Sequence, residues 1–123
     1  MTSPLYLVED NPDIRAALIP LIEHCTNFRV VAFAETEDEA VEWLQNSKER
    51  VQTVVLDVYL RQGTGFGVLS KKTQFPPSRR VVVLTNSATP SVRQECLCLG
   101  ASAVFDKSAE LDAFVDYLQS KDK

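Results

Sequence analysis

One stretch near the start of the chain decides the fold, Leu5-Tyr6-Leu7-Val8-Glu9-Asp10-Asn11-Pro12-Asp13. Its four apolar residues form a continuous run, which is typical of a strand buried on both faces in a parallel sheet. Two acidic residues, Glu9 and Asp10, follow this run directly. Asn11 can then cap a helix that has Pro12 in its first turn. The stretch therefore predicts a buried strand whose carboxyl end carries two carboxylates and leads directly into a helix.

The same pattern, a short apolar run followed by a helical segment, recurs along the chain. Further strands are predicted at 30–33, 54–56, 81–84 and 103–105. Thr36 and Glu39 form a capping box, Thr89-Pro90 begins a helix that Gly100 ends, and Ser108 is predicted to cap the last helix. Five strands that alternate with five helices, joined by right-handed crossovers, predict a single open α/β sheet.

The helices differ in the strength of their apolar faces. The first places Ile14, Ala17, Leu18, Leu21 and Ile22 on one face, and the last places Leu111, Phe114, Val115 and Leu118 inward. Pro20 is expected to kink the first helix, because proline removes a backbone donor there. The weakest helical segment, Gly65 to Phe75, is short and contains Gly67.

Composition limits the class of protein. The 123 residues predict one domain, residues 1–123, with no output domain, and the net charge of -4 argues against nucleic acid as a partner. The apolar runs have the length of strands, and no leader peptide is visible, so membrane spans and secretion are not expected. Three cysteines without a pairing pattern indicate reduced thiols and a cytoplasmic location. Cys96 and Cys98 are predicted to be small apolar fillers rather than metal ligands.

Polar side chains stand at the carboxyl ends of four predicted strands: Glu9 and Asp10 after the first, Asp57 after the third, Thr85 at the fourth and Lys107 just past the fifth. In open parallel sheets the functional groups gather beyond these ends, near the point where the strand order reverses. Each residue alone could be a helix cap or a loop anchor. Five of them at one edge of one sheet predict a common site.

The chemistry of this set indicates a phosphate site that contains a metal. Three neighbouring carboxylates repel one another, and Lys107 supplies only one positive charge. Hard oxygen ligands that leave coordination positions open suit Mg²⁺, which is often shared with phosphate oxygens. Asp57 can serve as a nucleophile that forms an acyl phosphate. Thr85 and Lys107 would then donate to the phosphoryl oxygens.

Several short motifs occur in order along the chain: Leu7-Val8-Glu9-Asp10-Asn11, Val55-Leu56-Asp57 with Leu60 and Gly65, Leu84-Thr85, and Gly100-Ala101 followed by Lys107. By these motifs the chain resembles, over essentially its whole length, the receiver domain of two-component response regulators in its single-domain form. The resemblance implies a (βα)5 flavodoxin-like, doubly wound parallel sheet with strand order 2-1-3-4-5. It also implies a signalling protein rather than an enzyme, although one that assists its own phosphorylation and dephosphorylation.

The resemblance also implies roles for individual residues. It makes Asp57 the phosphorylated residue and assigns contacts with the phosphoryl group to Thr85 and Lys107. The implied Mg²⁺ ligands are Glu9, Asp10, Asp57 and the backbone carbonyl of Tyr59. The implied donor is a phosphohistidine on a sensor histidine kinase or a histidine phosphotransfer protein.

Four positions depart from the family's usual pattern. Arg61 replaces a proline after the phosphoacceptor loop, and Asn86 replaces a small residue after Thr85. Ser108 replaces the proline after the lysine, so a cis bond is not expected there. Val104 stands where an aromatic switch residue is usual, and Phe105 should point to the opposite face of its strand.

Two hypotheses follow from the residues around the expected site. Because Val104 has no ring to turn, we expect phosphorylation to be intact but its readout on the face formed by the fourth strand-helix connection and the last helix to be altered. Tyr59 is bulky at a position that flanks the phosphoryl group in the family. We therefore expect it to obstruct the attacking water and lengthen the life of the acyl phosphate.

The predicted function is phosphorylation-dependent signalling by protein–protein interaction or phosphorelay, through a downstream target that the sequence does not name, without nucleic acid or membrane. An interaction module that acts without phosphate, or a receiver fragment of a larger regulator or hybrid kinase, is the alternative. An aspartyl-phosphate phosphatase would need an acid where Tyr59 stands. A flavodoxin-like cofactor binder would need a glycine- or hydroxyl-rich loop where the chain has Glu9 and Asp10.

Overall fold

The computed structural model describes residues 2–47, 51–72, 75 and 79–121. Five strands alternate with five helices: β1 (Ser3–Val8), α1 (Pro12–Cys25), β2 (Phe28–Ala34), α2 (Glu37–Asn46), β3 (Thr53–Leu56), α3 (Gly65–Ser70), β4 (Arg80–Thr85), α4 (Pro90–Cys98), β5 (Ala103–Asp106) and α5 (Leu111–Lys121). The strands form one parallel sheet in the order β2-β1-β3-β4-β5. The predicted flavodoxin-like topology is confirmed.

The register of the sheet aligns the carboxyl ends of its strands. Val8, the last residue of β1, lies opposite Ala34 of β2 and Leu56 of β3. On the other side of β3, Thr85 at the end of β4 lies opposite Asp106 at the end of β5. The residues that follow β1 and β3 therefore emerge side by side at one edge.

Successive strand residues supply two separate apolar layers, one on each face of the sheet. The layer under α2, α3 and α4 includes Tyr6, Val8, Leu44, Val54, Leu56 and Cys96. The layer under α1 and α5 includes Leu5, Leu7, Ile22, Val55, Phe114 and Leu118. The predicted alternation along β5 is confirmed, since Val104 packs against the first layer and Phe105 against the second.

The predicted helix signals are largely confirmed. The Asn11 side chain accepts hydrogen bonds from the amides of Asp13 and Ile14, and the hydroxyls of Thr36 and Thr89 cap α2 and α4 in the same way. Pro20 lies inside α1, which remains one helix. α1 is also the longest described helix, at 14 residues, and no helix in the described part of the chain could cross a bilayer.

Four predictions of local structure were wrong, and three of them concern α1, α3 and α4. Ala17 is exposed, so the buried face of α1 is narrower than its apolar pattern. Helix α3 ends at Ser70 rather than Phe75. Cys98 is exposed, whereas Cys96 is buried as predicted, because residues two apart on a helix face different directions.

Ser108 does not cap the last helix, which begins only at Leu111. The carboxylate of Asp106 accepts the amide protons of Ser108 and Ala109 at 2.7 and 2.9 Å and forms the turn that precedes α5. The Ser108 hydroxyl bonds Asn86 at 3.2 Å instead. The described peptide bonds are all trans, as expected at Ser108.

Candidate functional site

Main-chain pairing fixes the two most buried acids at the edge of the sheet. The amide of Glu9 donates to the carbonyl of Ala34 at 2.9 Å, and the amide of Asp57 donates to the carbonyl of Val8 at 3.0 Å. Glu9 is 1% exposed and Asp57 is 8% exposed. Since their backbones belong to neighbouring strands, both side chains point into the same crevice.

Asp10 completes a cluster of three carboxylates. One carboxylate oxygen from each of Glu9, Asp10 and Asp57 lies within 4.8 Å of the other two. Asp10 is only half-buried, so it forms the side of the cluster that faces solvent. Three negative charges at this separation repel one another strongly and favour the binding of a cation.

Lys107 supplies the cation that the structure holds in this crevice. Its amide donates to the carbonyl of Thr85 at 3.0 Å, which places the side chain beyond the end of β4. Its Nζ donates to Oδ2 of Asp57 at 2.7 Å and also to Oε1 of Glu9. Burial alone would lower the pKa of Lys107, but its hydrogen bonds with Asp57 and Glu9 outweigh burial and raise it. The ammonium therefore stays charged.

The burial of Glu9 disfavours its ionised form. Burial raises its pKa; hydrogen bonds from Lys107 and from the amide of Asn11 oppose this effect, and the charge of Asp57 adds to it. The net direction is upward, because one ammonium does not offset burial together with the neighbouring acids. The pocket thus retains capacity for a further positive charge.

The donor set fits Mg²⁺. It consists of hard carboxylate oxygens, it is too small to fill a coordination sphere, and it opens to solvent at Asp10. Mg²⁺ prefers this combination, since it keeps several waters and takes few protein ligands. Glu9, Asp10 and Asp57 are the residues that would hold it.

Thr85 lies at the end of β4 beside this cluster and is 1% exposed. In the described residues its hydroxyl bonds its own loop, where it accepts the amide proton of Ser87 at 3.1 Å. Among the described residues the hydroxyl forms no hydrogen bond with the side chain of Asp57 or Lys107. The structure thus brings four of the predicted residues into one cluster and places the fifth next to it.

The loop after Asp57 is anchored at both ends. The Val58 amide donates to Oδ1 of Asp57 at 2.7 Å, and the Gly65 amide donates to the Val58 carbonyl at 2.6 Å. Tyr59 pairs with Thr64 across the loop and exposes 53% of its surface. The Val58 amide therefore binds Oδ1 of Asp57, while Lys107 binds Oδ2. The pairing with Thr64 holds Tyr59 at the rim of the site.

Helix α2 holds the outer part of this loop, around Arg61 and Gln62. The Gln62 carbonyl accepts the amide proton of Glu37 at 2.9 Å, and Oε1 of Glu37 accepts the amide proton of Thr64 at 3.0 Å. Arg61 itself reaches Glu35, with Nη2 3.5 Å from Oε1. Polar contacts thus replace the restraint that a proline ring would give. Glu37 and Gln62 were not predicted from the sequence, where the acidic first turn of α2 is their only signal.

Arg93 is a third residue that was not predicted from the sequence. From α4 its guanidinium donates to the carbonyl of Ala88 at 2.9 Å, to the carbonyl of Val104 at 3.3 Å and to Glu110 Oε1 at 2.5 Å. Hydrogen bonding by Arg93 lowers the pKa of Glu110, which also accepts the Asp106 amide proton. Arg93 therefore ties the loop after Thr85 to β5 and to the turn before α5.

Comparisons with known proteins agree with the fold of the chain. A sequence model described as the response regulator receiver domain matches residues 5–119. A two-component response regulator of the LuxR family from Aurantimonas sp. SI85-9A1 superposes with a TM-score of 0.83 at 25% identity, over 100% of this chain and 89% of that chain. The CheX-CheY-BeF3-Mg complex from Borrelia burgdorferi gives 0.85 at 21% identity, over 97% and 88%. A response regulator from Burkholderia pseudomallei, with a phosphorylated aspartic acid, calcium ion and citrate, gives 0.79 at 20%, over 97% and 68%.

Proposed function

The chain belongs to the family of response regulator receiver domains, and on this premise we propose that it accepts a phosphoryl group on Asp57 from a phosphohistidine donor. The observation that carries the proposal is the convergence of Glu9, Asp10 and Asp57 around the ammonium of Lys107. This arrangement combines a carboxylate nucleophile with a site for a divalent cation and a fixed positive charge.

The transfer begins with a carboxylate oxygen of Asp57, which forms a bond to phosphorus. The bond between phosphorus and the donor's imidazole nitrogen breaks, and that nitrogen keeps the electron pair. When the other nitrogen of the donor's ring carries a proton, the products are an acyl phosphate on Asp57 and a neutral imidazole on the donor. The amide of Val58 and the ammonium of Lys107 hold the two carboxylate oxygens in place before the attack.

The other side chains act on the phosphoryl group once it has arrived. Lys107 sits within hydrogen-bonding distance of Asp57 and can donate to the new phosphoryl oxygens. Thr85 can exchange its bond with the Ser87 amide for one with the same group. Bound Mg²⁺, held by Glu9, Asp10, Asp57 and the Tyr59 carbonyl, would supply the positive charge that the phosphoryl oxygens require.

The biological role follows from this chemistry. We propose a non-enzymatic cytoplasmic signalling protein that receives its phosphate from a sensor histidine kinase or a histidine phosphotransfer protein. It would pass the signal on by protein–protein interaction or along a phosphorelay. Its acidic net charge supports a protein partner rather than nucleic acid.

Intact-mass spectrometry with a small phosphodonor tests the proposal. Incubation with acetyl phosphate and Mg²⁺ should add the mass of one phosphate, and omission of the metal should largely abolish the gain. The Asp57→Asn variant should gain nothing, since it keeps the shape of the side chain without its nucleophilic charge. A folded wild-type protein that gains no phosphate would instead support an interaction module that acts without phosphorylation.

A further inference from the structure

A buried arginine lies directly behind the acidic pocket. Arg15, in the first turns of α1, has a side chain that is only 12% exposed. Its Nη1 donates to the backbone carbonyl of Glu9 at 2.8 Å and to Oε2 of Glu35 at 2.8 Å. The carbonyl of Glu9 belongs to the peptide unit that joins Glu9 to Asp10. Arg15 therefore holds the peptide plane between two of the three acids in the cluster.

Arg15 is itself held from two sides. Glu35, just after β2, pairs with it, and the ring of Phe33 covers the guanidinium, with Cζ 4.2 Å from the ring centroid. This contact accounts for a half-exposed phenylalanine at the sheet edge, since an aromatic face attracts a cation. Arg61 approaches the other oxygen of Glu35 at 3.5 Å. The guanidinium of Arg15 thereby links the ends of β1 and β2, and Arg61 connects the loop after β3 to the same Glu35.

We propose that Arg15 is a positioning residue that sets how tightly the acidic pocket binds Mg²⁺. The proposal rests on the proposed function, because it concerns the same site. By holding the carbonyl of Glu9, Arg15 fixes the direction in which the chain leaves Glu9. This direction determines where the carboxylate of Asp10 lies. Groups that orient metal ligands from behind typically change metal affinity by about 10- to 100-fold when they are removed.

The charge of Arg15 and its hydrogen bond to the Glu9 carbonyl have opposite effects on the binding of Mg²⁺. Removal of a positive charge beside a dication would strengthen metal binding, whereas loss of the hydrogen bond to the Glu9 carbonyl would weaken it. Arg15 is paired with Glu35 at 2.8 Å, so the field of the pair at the pocket is that of a small dipole. The positional effect is therefore the larger one, and the affinity for Mg²⁺ should fall when Arg15 is replaced.

Titration calorimetry of Mg²⁺ binding to the intact chain tests this. Arg15→Met, which removes both charge and donors, should weaken Mg²⁺ binding about tenfold. Arg15→Lys keeps the charge but loses the planar fork and should weaken binding in the same direction. In phosphorylation by acetyl phosphate, the Mg²⁺ concentration at half-maximal rate should rise by the same factor, while the rate at saturating Mg²⁺ stays near that of wild type.

Arg29→Met is the matched control, because Arg29 is an exposed arginine at the start of β2, at the end of the strand far from Glu35. The affinity of this variant for Mg²⁺ should equal that of wild type. Circular dichroism shows whether Arg15→Met folds. If it does not, Glu35→Gln, which weakens the ion pair that holds Arg15 in place, should still weaken the binding of Mg²⁺. Unchanged or tighter Mg²⁺ binding in the folded variants would overturn the role of Arg15 and leave the proposed function standing. Absence of Mg²⁺ binding by wild type would overturn both.

Discussion

The ammonium of Lys107 lies 2.7 Å from Oδ2 of Asp57, although the two residues are 50 positions apart. The same ammonium also bonds the carboxylate of Glu9. The side chains of Lys107, Asp57 and Glu9 are nearly buried, with 9%, 11% and 2% of their surface exposed, respectively. A buried cation between two buried acids stabilises the fold only while each partner is present. The group proposed to stabilise the phosphoryl charge thus also holds the acidic pocket together before phosphorylation.

Replacement of Lys107 with Met should destabilise the metal-free protein by about 3 kcal/mol, because two buried carboxylates lose the cation that offsets them. Mg²⁺ should restore part of this loss, since it binds to the same carboxylates. Urea unfolding in EDTA and in excess Mg²⁺ measures both effects. Lys121→Met, at the end of α5, is the control and should change stability little in either condition. Equal destabilisation of Lys107→Met with and without Mg²⁺ would contradict the coupling.

Two glycines in the first turn of α3 are packed against different kinds of atoms. A methyl group on Gly65 would overlap the main-chain carbonyl of Asp57, whereas one on Gly67 would overlap only the side-chain carboxylate of Glu37. We expect Gly65→Ala and Gly67→Ala to lower the free energy of unfolding by about 1–3 kcal/mol each. Denaturant titration of both variants measures this.

The second half of this prediction is a rescue experiment. Addition of Glu37→Ala should remove most of the penalty of Gly67→Ala, because the overlapping carboxylate is gone, but it should not rescue Gly65→Ala. A double-mutant cycle gives the interaction energy for each pair. If Glu37→Ala rescued both glycine variants equally, or rescued neither, the packing around the first turn of α3 would not be as described.

The strand ends could be predicted from the sequence because apolar runs mark the buried strands, and parallel topology sends their carboxyl ends to one edge. Glu9, Asp10, Asp57 and Lys107 were found in this way. Their convergence follows from register, and no knowledge of side-chain contacts was needed. Thr85 was placed correctly at the end of β4, but its bond to the Ser87 amide depends on the conformation of a loop.

The residues that the sequence did not reveal act across large separations in the chain. Arg15 meets Glu35, Glu37 meets Thr64, and Arg93 meets Glu110. Each is a charged side chain of a type that is usually solvated, so no local pattern distinguishes it. The wrong capping role of Ser108 has a similar origin. Asp106, two residues earlier, forms the turn in its place.

Arg93 should limit how far the effect of phosphorylation spreads. A displaced Thr85 would release the Ser87 amide and move the adjoining loop, but Arg93 holds the Ala88 carbonyl against Val104 and Glu110. On addition of beryllofluoride and Mg²⁺, amide shifts should stay concentrated between Thr85 and Ala88 in wild type. In Arg93→Met they should extend into α4 and to Val104. NMR spectra of the ¹⁵N-labelled proteins measure both.

The control for this experiment is Arg29→Met, which should behave as wild type because Arg29 lies at the start of β2. Large shifts from Thr89 to Leu99 and at Val104 in the wild-type protein would contradict the restraint. They would also show that a chain with valine at the switch position still transmits the signal in the family's usual way.

Tyr59 should set the lifetime of the acyl phosphate. Its side chain stands two residues after Asp57 on a loop anchored by Gly65 and Thr64, and 53% of it is exposed at the rim of the site. We expect a ring in this position to obstruct the water that must reach phosphorus on the side away from Asp57. Tyr59→Asn should therefore speed dephosphorylation about tenfold, equivalent to about 1.4 kcal/mol of activation free energy. Tyr59→Phe keeps the ring and should match wild type. The decay of the phosphorylated mass after removal of acetyl phosphate gives each rate, and an unchanged rate in Tyr59→Asn would show that the ring does not shield the phosphoryl group.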